Sequence, residues 1–350
     1  MQPSGGGGGG GEAELRTLCE ELQLGLVSGA AKDGIPALSE PDLIPADHRD
    51  VDCLLPTDRV IGIEIDGEYL AFPHNILWWH EISNMDEFGL AVTYCPLTGS
   101  SMVFHRDVVN GDDCGVPGLL FKNNLVMYDR AGSGVEESLW PQMLAGARCG
   151  PSEGQDLVMY PALEIEWADW KALHPDTRVL SGATGFGRDY TRYPYGDYEV
   201  EDNIATLDPL DEFDDRRPPK ERVLGIPYRD GGGIAFPFGA LRSVGDLAAI
   251  QATVGSADEA SALSVPIVVF WDSRAAAAMA YGTSIAGQSL TFEVRDGTFV
   301  DLEKGSQWSI EGKALSGPFV GKSLDKIAEA YVSFWFAFST FYPNPGLWLP

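Results

Sequence analysis

The chain has 350 residues, of which 44% are hydrophobic, so it is long enough to bury one large core or two of ordinary size. It contains 52 acidic residues against 24 Lys and Arg, and the formal net charge of −28 excludes nucleic acid and anionic membranes as favourable partners. The acids are spread along the chain, which favours a surface adapted to high salt over that of an ordinary acidic secreted protein.

The chain begins with a glycine tract, MQPSGGGGGGGEAE, which lacks the basic and apolar regions of a signal peptide. We assign residues 1–20 to a flexible tether and residues 21–58 to a lead-in. The tether suits a segment that follows a removed signal peptide or a lipid-anchored cysteine, with Met1 added for expression. No apolar run approaches the roughly 18 residues of a membrane-spanning helix. We expect a protein outside the cell or on its surface, with a cytoplasmic location as the alternative.

Short strands separated by Gly and Asp turns predict a strand-rich α+β fold of antiparallel sheets or barrel-like units with a few short helices. The chain has neither a βαβ rhythm nor a phosphate-binding glycine motif, so nucleotide chemistry of those kinds is not expected. The predicted helices are 73–80, 165–173, 237–242 and 324–332. The predicted strands are 60–65, 68–72, 90–95, 101–106, 118–122, 124–129, 223–228, 266–271, 277–282 and 289–294.

Two segments of the chain read alike, RVIGIEIDGEYLAFPHNIL at 59–77 and RVLGIPYRDGGGIAFPFGAL at 222–241. Each predicts a hairpin that ends in Ala-Phe-Pro and leads into a short helix. Three more blocks recur in the same order, namely AVTYCPL with IVVFWDS, SLWPQMLAGARCG with SQWSIEGKALSG, and EWADWKALHP with SFWFAFSTFYP. These four blocks indicate a first half at 59–180 and a related second half at 221–350, joined by an acidic connector at 181–220.

The connector includes YPYGDYEVEDNIATLDPLDEFDDRRPPK, in which Asp and Glu cluster with prolines. Its carboxylates raise the alternative of calcium binding, but the ordered spacing of an EF-hand loop is missing. We therefore interpret the connector as a solvated linker.

The repeat allows one half to serve as a control for the other. Residues shared by both halves are expected to serve packing, whereas polar residues present in one half are candidates for a site. The second half has neither Cys nor His. The aligned blocks place Trp271 opposite Cys95 and Val244 opposite His80. The site is therefore expected in the first half.

The five cysteines are Cys19, Cys53, Cys95, Cys114 and Cys149. No Cys-x-x-Cys spacing occurs, which excludes a zinc ribbon and a thioredoxin motif. An exported chain with this count forms up to two disulfides and leaves one thiol, and reduced, buried cysteines are the alternative.

Cys95 is the most specific candidate, because it ends an apolar strand and precedes the proline-led turn of TYCPLTGSS. Backbone amides of such a turn would stabilise a thiolate. With His80 as its partner, and Glu81 or Asn84 orienting the imidazole, Cys95 would be a catalytic nucleophile. Alternatively, Cys95, His80 and His74 would ligate a transition metal such as copper. A buried, inert cysteine is the third interpretation.

Further polar residues are expected to surround the thiol. Thr98 and Ser100 follow Cys95 in the same turn, and Asn124 begins a predicted strand. Asp129 and Arg130 end that strand, where a fixed turn with an ion pair is the alternative interpretation.

Three functions remain open from these residues. The first is metal binding or redox chemistry centred on Cys95. The second is a hydrolase or transferase that uses Cys95 as its nucleophile. The third is a non-catalytic surface module that binds a partner through its aromatic residues.

The chain also resembles a prokaryotic family, the one described as domain of unknown function 3179. The similarity extends over about 55–347 and is carried by AFPHNILWWHEISN, TYCPLTGSSMVFHR, GLLFKNNLVMYDR, SLWPQM, WADWKALHPDTRVL, YPYGDY, KERVLGI and FWFAFSTFYP. Members often carry Cys-Pro-Leu-Cys or Cys-Pro-Leu-Thr, and Thr98 therefore excludes a two-cysteine redox centre here. His105 stands where the family usually shows Asp before Arg106. The resemblance implies an exported or lipid-anchored protein and leaves its reaction open.

Overall fold

In a computed structural model, the protein is described over residues 16–109, 111–130, 135–210, 213–228, 231–255 and 265–350. Residues 1–15, most of the predicted tether, lie outside the described residues. No helix among the described residues is long and apolar enough to cross a membrane.

The described residues form five helices of seven residues each and 27 short strands. The helices are α1 Leu18–Leu24, α2 His74–His80, α3 Trp167–Leu173, α4 Phe238–Val244 and α5 Trp335–Phe341. The strands up to the end of the first half are β1 Leu26–Ser28, β2 Leu38–Ser39, β3 Leu43–Pro45, β4 Arg59–Ile65, β5 Glu68–Pro73, β6 Ile82–Met85, β7 Leu90–Cys95, β8 Ser100–His105, β9 Cys114–Gly115, β10 Leu119–Phe121, β11 Asn124–Asp129, β12 Leu139–Pro141, β13 Met159–Tyr160, β14 Leu163–Glu166 and β15 Arg178–Leu180. The strands of the second half are β16 Arg222–Pro227, β17 Gly233–Pro237, β18 Leu247–Val254, β19 Val265–Asp272, β20 Ala277–Gly282, β21 Ser284–Ile285, β22 Gln288–Ser289, β23 Phe292–Arg295, β24 Thr298–Asp301, β25 Gln307–Trp308, β26 Tyr331–Phe334 and β27 Gly346–Leu347.

Each predicted strand overlaps an observed one, and three predicted helices coincide with α2, α3 and α4. The helix predicted at 324–332 is wrong, because the chain enters β26 there and β26 pairs with β16. Helix-forming residues in DKIAEA suggested a helix, but tertiary pairing overrides such local preferences.

The sheets are mixed or antiparallel, and none in the described part of the chain closes into a barrel. The barrel-like alternative is therefore wrong. One sheet of each half is built on a matching hairpin, β4–β5 in the first and β16–β17 in the second. On one side the hairpin pairs with an antiparallel strand, β14 or β26. On the other side it pairs with a parallel strand, β15 or β27.

A second matching hairpin corrects the alignment of Cys95. Cys95 pairs with Ser100 across the turn between β7 and β8, and Asp272 pairs with Ala277 across the turn between β19 and β20. Both turns contain four residues between the paired positions. Asp272, rather than Trp271, is therefore the counterpart of Cys95, one residue away from the position that the sequence blocks indicated.

The aromatic pairs of the two cores support this register. His74 stacks on Tyr94 in the first half, with ring centroids 4.0 Å apart. Phe238 meets Trp271 edge-to-face in the second half, with centroids 4.9 Å apart. His74 and Tyr94 thus fill the places of Phe238 and Trp271, which makes His74 part of a packing pair.

The last helix of each half packs against the other half. Trp335 and Phe338 of α5 join a core with Cys95 and other residues of the first half. Trp170 of α3 joins a core with Phe270 and other residues of the second half. Each helix therefore lies between its own sheet and a sheet of the other half, and the two halves share their cores.

We call α3 and α5 the exchanged helices, because each also packs against the other half. A glycine makes room for each of them on its own sheet. An added Cβ at Gly62 on β4 would lie 2.4 Å from the ring of Trp170, and one at Gly225 on β16 would lie 2.2 Å from the ring of Phe338. Distances this short do not occur between packed carbon atoms, so no side chain larger than hydrogen fits at either position.

We predict that Gly62→Ala and Gly225→Ala each lower the free energy of unfolding by about 1–3 kcal/mol, because the methyl group displaces a buried ring. Urea denaturation of both variants measures the change. Gly187→Ala is the control, since a Cβ there meets no atom within 4 Å. Midpoints for the two core variants that equal the control value would contradict this packing.

Candidate functional site

Cys95 lies at the end of β7 and is completely buried. Its thiol donates to the carbonyl oxygen of Asn123, with the sulfur 3.8 Å from that oxygen. Burial, together with the nearby Glu81 carboxyl, raises the pKa of Cys95 to about 11, although hydrogen bonds from Thr98 and from the Leu125 amide act in the opposite direction. Because a thiol with this pKa stays protonated at neutral pH, Cys95 is not a ready nucleophile in this state.

His80, the predicted partner of Cys95, has other partners at both ring nitrogens. Nδ1 lies 2.7 Å from the carbonyl oxygen of Pro36, and Nε2 lies 2.6 Å from the hydroxyl of Tyr190. Burial lowers the pKa of His80, so the neutral ring is favoured. The structure does not join the His80 ring to the Cys95 thiol by a hydrogen bond.

His74, the other predicted metal ligand, belongs to a separate buried network. Its Nε2 lies 3.2 Å from the Ser101 hydroxyl and 3.7 Å from the Glu164 carboxylate. Burial lowers the pKa of His74 to about 3, with a smaller opposing effect of Glu164. Within the described ranges, no group of three or more His, Cys, Asp or Glu side chains is placed to hold a metal ion. The predicted set of Cys95, His80 and His74 is thus not brought together.

Thr98, Ser100 and Asn124 do converge near Cys95, and all three are fully buried. The Asn124 amide donates to the hydroxyls of Thr98 and Ser100 and to the Gln142 side chain, at 2.9, 3.2 and 2.8 Å. The Ser100 hydroxyl also donates to Gln142, at 2.6 Å. Since these groups satisfy one another, their main effect is to fix the turn that holds Cys95.

Asn84, Asp129 and Arg130 have structural roles away from the thiol. The Asn84 amide donates to the carbonyl oxygens of Leu38 and Cys114, and so ties β6 to β2 and β9. Asp129 accepts a hydrogen bond from the Ser138 amide, and in the second half Asp301 accepts the same bond from Ser306. Arg130 forms an ion pair with Asp33 of the lead-in.

The remaining cysteines separate into one disulfide and two thiols. Cys19 of α1, at the end of the predicted tether, is bonded to Cys149 of the first half. Cys53 is exposed and free, and Cys114 is buried and free. One disulfide therefore forms among the described residues where the cysteine count allowed two.

A cavity with a volume of about 330 Å³ lies where the lead-in, the first half and the connector meet. We call it the Glu81 pocket. Its wall is mostly apolar and includes Leu97, Leu120 and Leu207. Among the described residues that line it, the polar groups able to ionise are Glu81, Tyr195 and Tyr198. An apolar cleft with a few convergent polar groups is the usual form of a small-molecule site.

Glu81 is 2% exposed, and no hydrogen bond or ion pair joins its carboxyl group to another described residue. Burial alone raises the pKa of Glu81 to about 8, so the carboxyl is mostly protonated at neutral pH. Because Glu81 lines the cavity and its carboxyl has no partner among the described residues, this group is available to a molecule bound there.

The backbone at Glu81 is also unusual. Glu81 caps the C-terminus of α2 with φ 57° and ψ −32°, a conformation in which glycine is favoured. At the matching end of α4 the second half has Gly245, in a different conformation with φ 156° and ψ 179°. A glutamate at such a position costs on the order of 1–3 kcal/mol, and strain of this kind concentrates at functional sites.

The connector supplies the tyrosines that the sequence analysis missed. Tyr198 is buried, and its hydroxyl donates to the carbonyl oxygen of Leu97 at 2.8 Å. Lys220, 1% exposed, lies 3.7 Å above the Tyr198 ring. Interpreting the whole connector as a solvated linker was therefore wrong. The repeated tyrosines of YTRYPYGDY were the available signal, because a purely solvated segment has little use for them.

A comparison with family models matches residues 32–345 to the family described as protein of unknown function (DUF3179). The chain belongs to the DUF3179 family. The DUF3179 match confirms the resemblance drawn from the sequence and begins earlier, within the lead-in. The lead-in strands β2 and β3 pair with β6 and β15, which explains why this segment is part of the DUF3179 domain. No curated protein and no solved structure shows significant similarity to the chain.

We predict that Glu81→Gln becomes more stable relative to wild type as the pH rises from 5 to 8. The unfolded state loses the Glu81 proton near pH 4.5 and the folded state near pH 8. Between these values the folded state binds more protons, so wild-type stability falls with pH by about 1.4 kcal/mol per pH unit through this group. Urea denaturation at constant salt measures the difference.

The control for this titration is Glu329→Gln, which changes an exposed carboxylate. The difference between this variant and wild type is expected to stay nearly constant over the same pH range. A flat difference for Glu81→Gln as well would show that the Glu81 carboxyl titrates normally.

We predict that a thiol reagent such as dithionitrobenzoate labels one cysteine, Cys53, in the native protein without reductant. Cys95 and Cys114 are buried, so they are expected to react only after denaturation, which brings the total to three. Cys53→Ser removes the native labelling and leaves two thiols in the denatured protein. Native labelling of Cys95, located by peptide mass spectrometry, would contradict the burial described above.

Proposed function

We propose that the protein binds a small, mostly apolar molecule in the Glu81 pocket, with the Glu81 carboxyl as its polar anchor. The observation that carries this proposal is an almost fully buried carboxyl that has no partner among the described residues and faces a cavity of about 330 Å³. Burying such a group without a hydrogen bond costs on the order of 1–3 kcal/mol. A ligand that bonds to the carboxyl recovers this energy on binding.

The construction of the pocket supports binding of a molecule that the protein must enclose. Three separate segments supply its wall, including Ile35 from the lead-in, Leu97 from the first half and Leu207 from the connector. The disulfide between Cys19 and Cys149 and the ion pair between Arg130 and Asp33 fix the lead-in against the first half. A site held in this way is largely preformed, which reduces the entropy lost on binding.

We predict that a neutral apolar fluorophore, N-phenyl-1-naphthylamine, binds with increased fluorescence and that Ala205→Trp abolishes the increase. Ala205 lines the pocket from an exposed position, so the larger side chain fills the cavity with little disturbance of the core. Fluorescence titration measures binding. Ala168→Trp on α3 is the control, because this exposed alanine does not line the pocket. Equal titration curves for both variants would overturn the proposal.

A second candidate function is thiol chemistry at Cys95, with Glu81 in place of His80 as the proton acceptor. It is supported by the interaction of the two groups, since the Glu81 charge contributes to the raised pKa of Cys95. Proton transfer from Sγ to the Glu81 carboxylate would leave a thiolate that faces the donors of Thr98 and Leu125. Native labelling of Cys95 that is lost in Glu81→Gln and kept in His80→Ala would favour this function.

Metal or redox chemistry at Cys95 has less support from the geometry. Both ring nitrogens of His80 are held by Pro36 and Tyr190, and Nε2 of His74 is held by Ser101, so neither imidazole is hydrogen-bonded to the thiol. A copper site would require both rings to exchange these bonds for the metal.

We further propose that the protein is exported and that its two halves arose from a repeat. The Cys19–Cys149 disulfide supports export, because disulfides persist mainly in oxidising compartments. The recurrence of the hairpin, its two neighbouring strands and its exchanged helix supports the repeat. In this view the connector and lead-in are additions that enclose the pocket on the first half.

A further inference from the structure

Building on the proposed function, we infer that the ligand of the Glu81 pocket is a small organic cation, a protonated amine or a quaternary ammonium with an apolar substituent. The Glu81 carboxylate would neutralise its charge, and the Tyr195 and Tyr198 rings would contact it. A neutral ligand in the pocket would satisfy the proposed function and contradict this inference, so the two proposals can fail separately.

The charge of the pocket favours a cation over an anion. Glu81 is the one acidic side chain among the described residues that line the cavity, and no lining residue is Lys, Arg or His. An anionic ligand would therefore meet a carboxyl group and no balancing positive charge. The protein as a whole has a net charge of −28, which attracts cations and repels anions at every approach.

The aromatic wall favours an ammonium group in particular. Aromatic rings attract ammonium ions through the negative charge on their faces. Tyr198 already contacts one such ion, since the Lys220 ammonium lies 3.7 Å from its ring centroid. Tyr195 is its neighbour, with ring centroids 6.4 Å apart, and its hydroxyl has no hydrogen-bond partner among the described residues. Both rings and the Glu81 carboxyl line the same cavity, so together they would contact an alkylammonium group bound there.

Lys220 itself does not take the place of the ligand. Its ammonium donates to the carbonyl oxygens of Asn203 and Ala205, at 3.1 and 2.7 Å, and the residue does not line the cavity. Lys220 is therefore not a partner of Glu81, and no cationic side chain among the described residues that line the cavity pairs with the Glu81 carboxyl.

Binding of a cation is expected to be coupled to loss of a proton. Glu81 is mostly protonated at neutral pH because its pKa is raised to about 8, and the ion pair requires the carboxylate. Affinity therefore rises about tenfold per pH unit below pH 8 and levels off above it. The Cys95 thiol and the Tyr195 hydroxyl face Glu81 and stay neutral in this range, because burial raises the pKa of both. Lys220, with its pKa lowered to about 8 by burial, is the other group that titrates nearby.

The test compares three probes of similar shape, benzyltrimethylammonium, benzyl alcohol and benzoate, by displacement of N-phenyl-1-naphthylamine from the full chain. Measurements at pH 6.0, 7.0 and 8.5 and constant ionic strength use wild type, Glu81→Gln and Tyr195→Leu, with Tyr195→Phe as the control that keeps the ring. At pH 8.5 we expect the cation to bind wild type at least tenfold more tightly than benzyl alcohol, and benzoate to bind most weakly. The Glu81→Gln variant is expected to lose this preference and most of its pH dependence. Any dependence that remains belongs to Lys220.

The possible results separate the two proposals. Benzyl alcohol or benzoate binding as tightly as the cation would overturn the inference and leave the binding site standing. The same holds if the fluorophore binds and no probe displaces it. Failure of the fluorophore and of every probe would overturn both proposals. Equal weakening of cation and alcohol by Tyr195→Leu would show that the ring supplies apolar contact alone.

Discussion

The exchange of α3 and α5 between the two halves is the constraint on which the rest of the structure depends. One backbone hydrogen bond joins the residue just before each of these helices to the other half, and the two bonds lie at corresponding positions of the two halves. The Glu166 amide donates to the carbonyl oxygen of Ala275 at 3.0 Å, and the Phe334 amide donates to that of Thr98 at 2.8 Å. Neither half has a complete core by itself. The sheet with β7 and β8 packs against α5 of the second half, and the sheet with β19 and β20 packs against α3 of the first half.

This exchange explains why Cys95 is a poor candidate for chemistry in the observed state. The turn that follows Cys95 accepts the bond from Phe334, so the aromatic residues of α5 cover the thiol. The polar groups beside it, Thr98, Ser100 and Asn124, are used to hold the turn in shape. The Glu81 pocket lies elsewhere, where no residue of the exchanged helices lines the cavity and the connector supplies part of the wall.

The sequence was sufficient for most strands and for helices α2, α3 and α4, because each depends on local periodicity. It was insufficient where long-range contacts decide the outcome. The helix predicted at 324–332 followed residue preferences, although the alignment of SFWFAFSTFYP with the helical EWADWKALHP already indicated a helix further along the chain, where α5 lies. The one-residue error that placed Trp271 opposite Cys95 arose because both strands are buried on each face, so their hydrophobic pattern does not fix the register. The connector was misread because its acidic composition hid the tyrosines that pack against the pocket.

Glu81 was selected from the sequence as an accessory to a histidine, and the structure gives it greater weight for a reason that composition does not reveal. At the end of α4 the repeat has Gly245, which adopts its backbone angles without steric cost. At the end of α2 the first half has Glu81, which has a strained backbone and a buried carboxyl without a partner among the described residues. Both costs act against folding, and replacement by glycine would remove them together. A residue that lowers stability in two independent ways is best explained by a function that needs its carboxyl group.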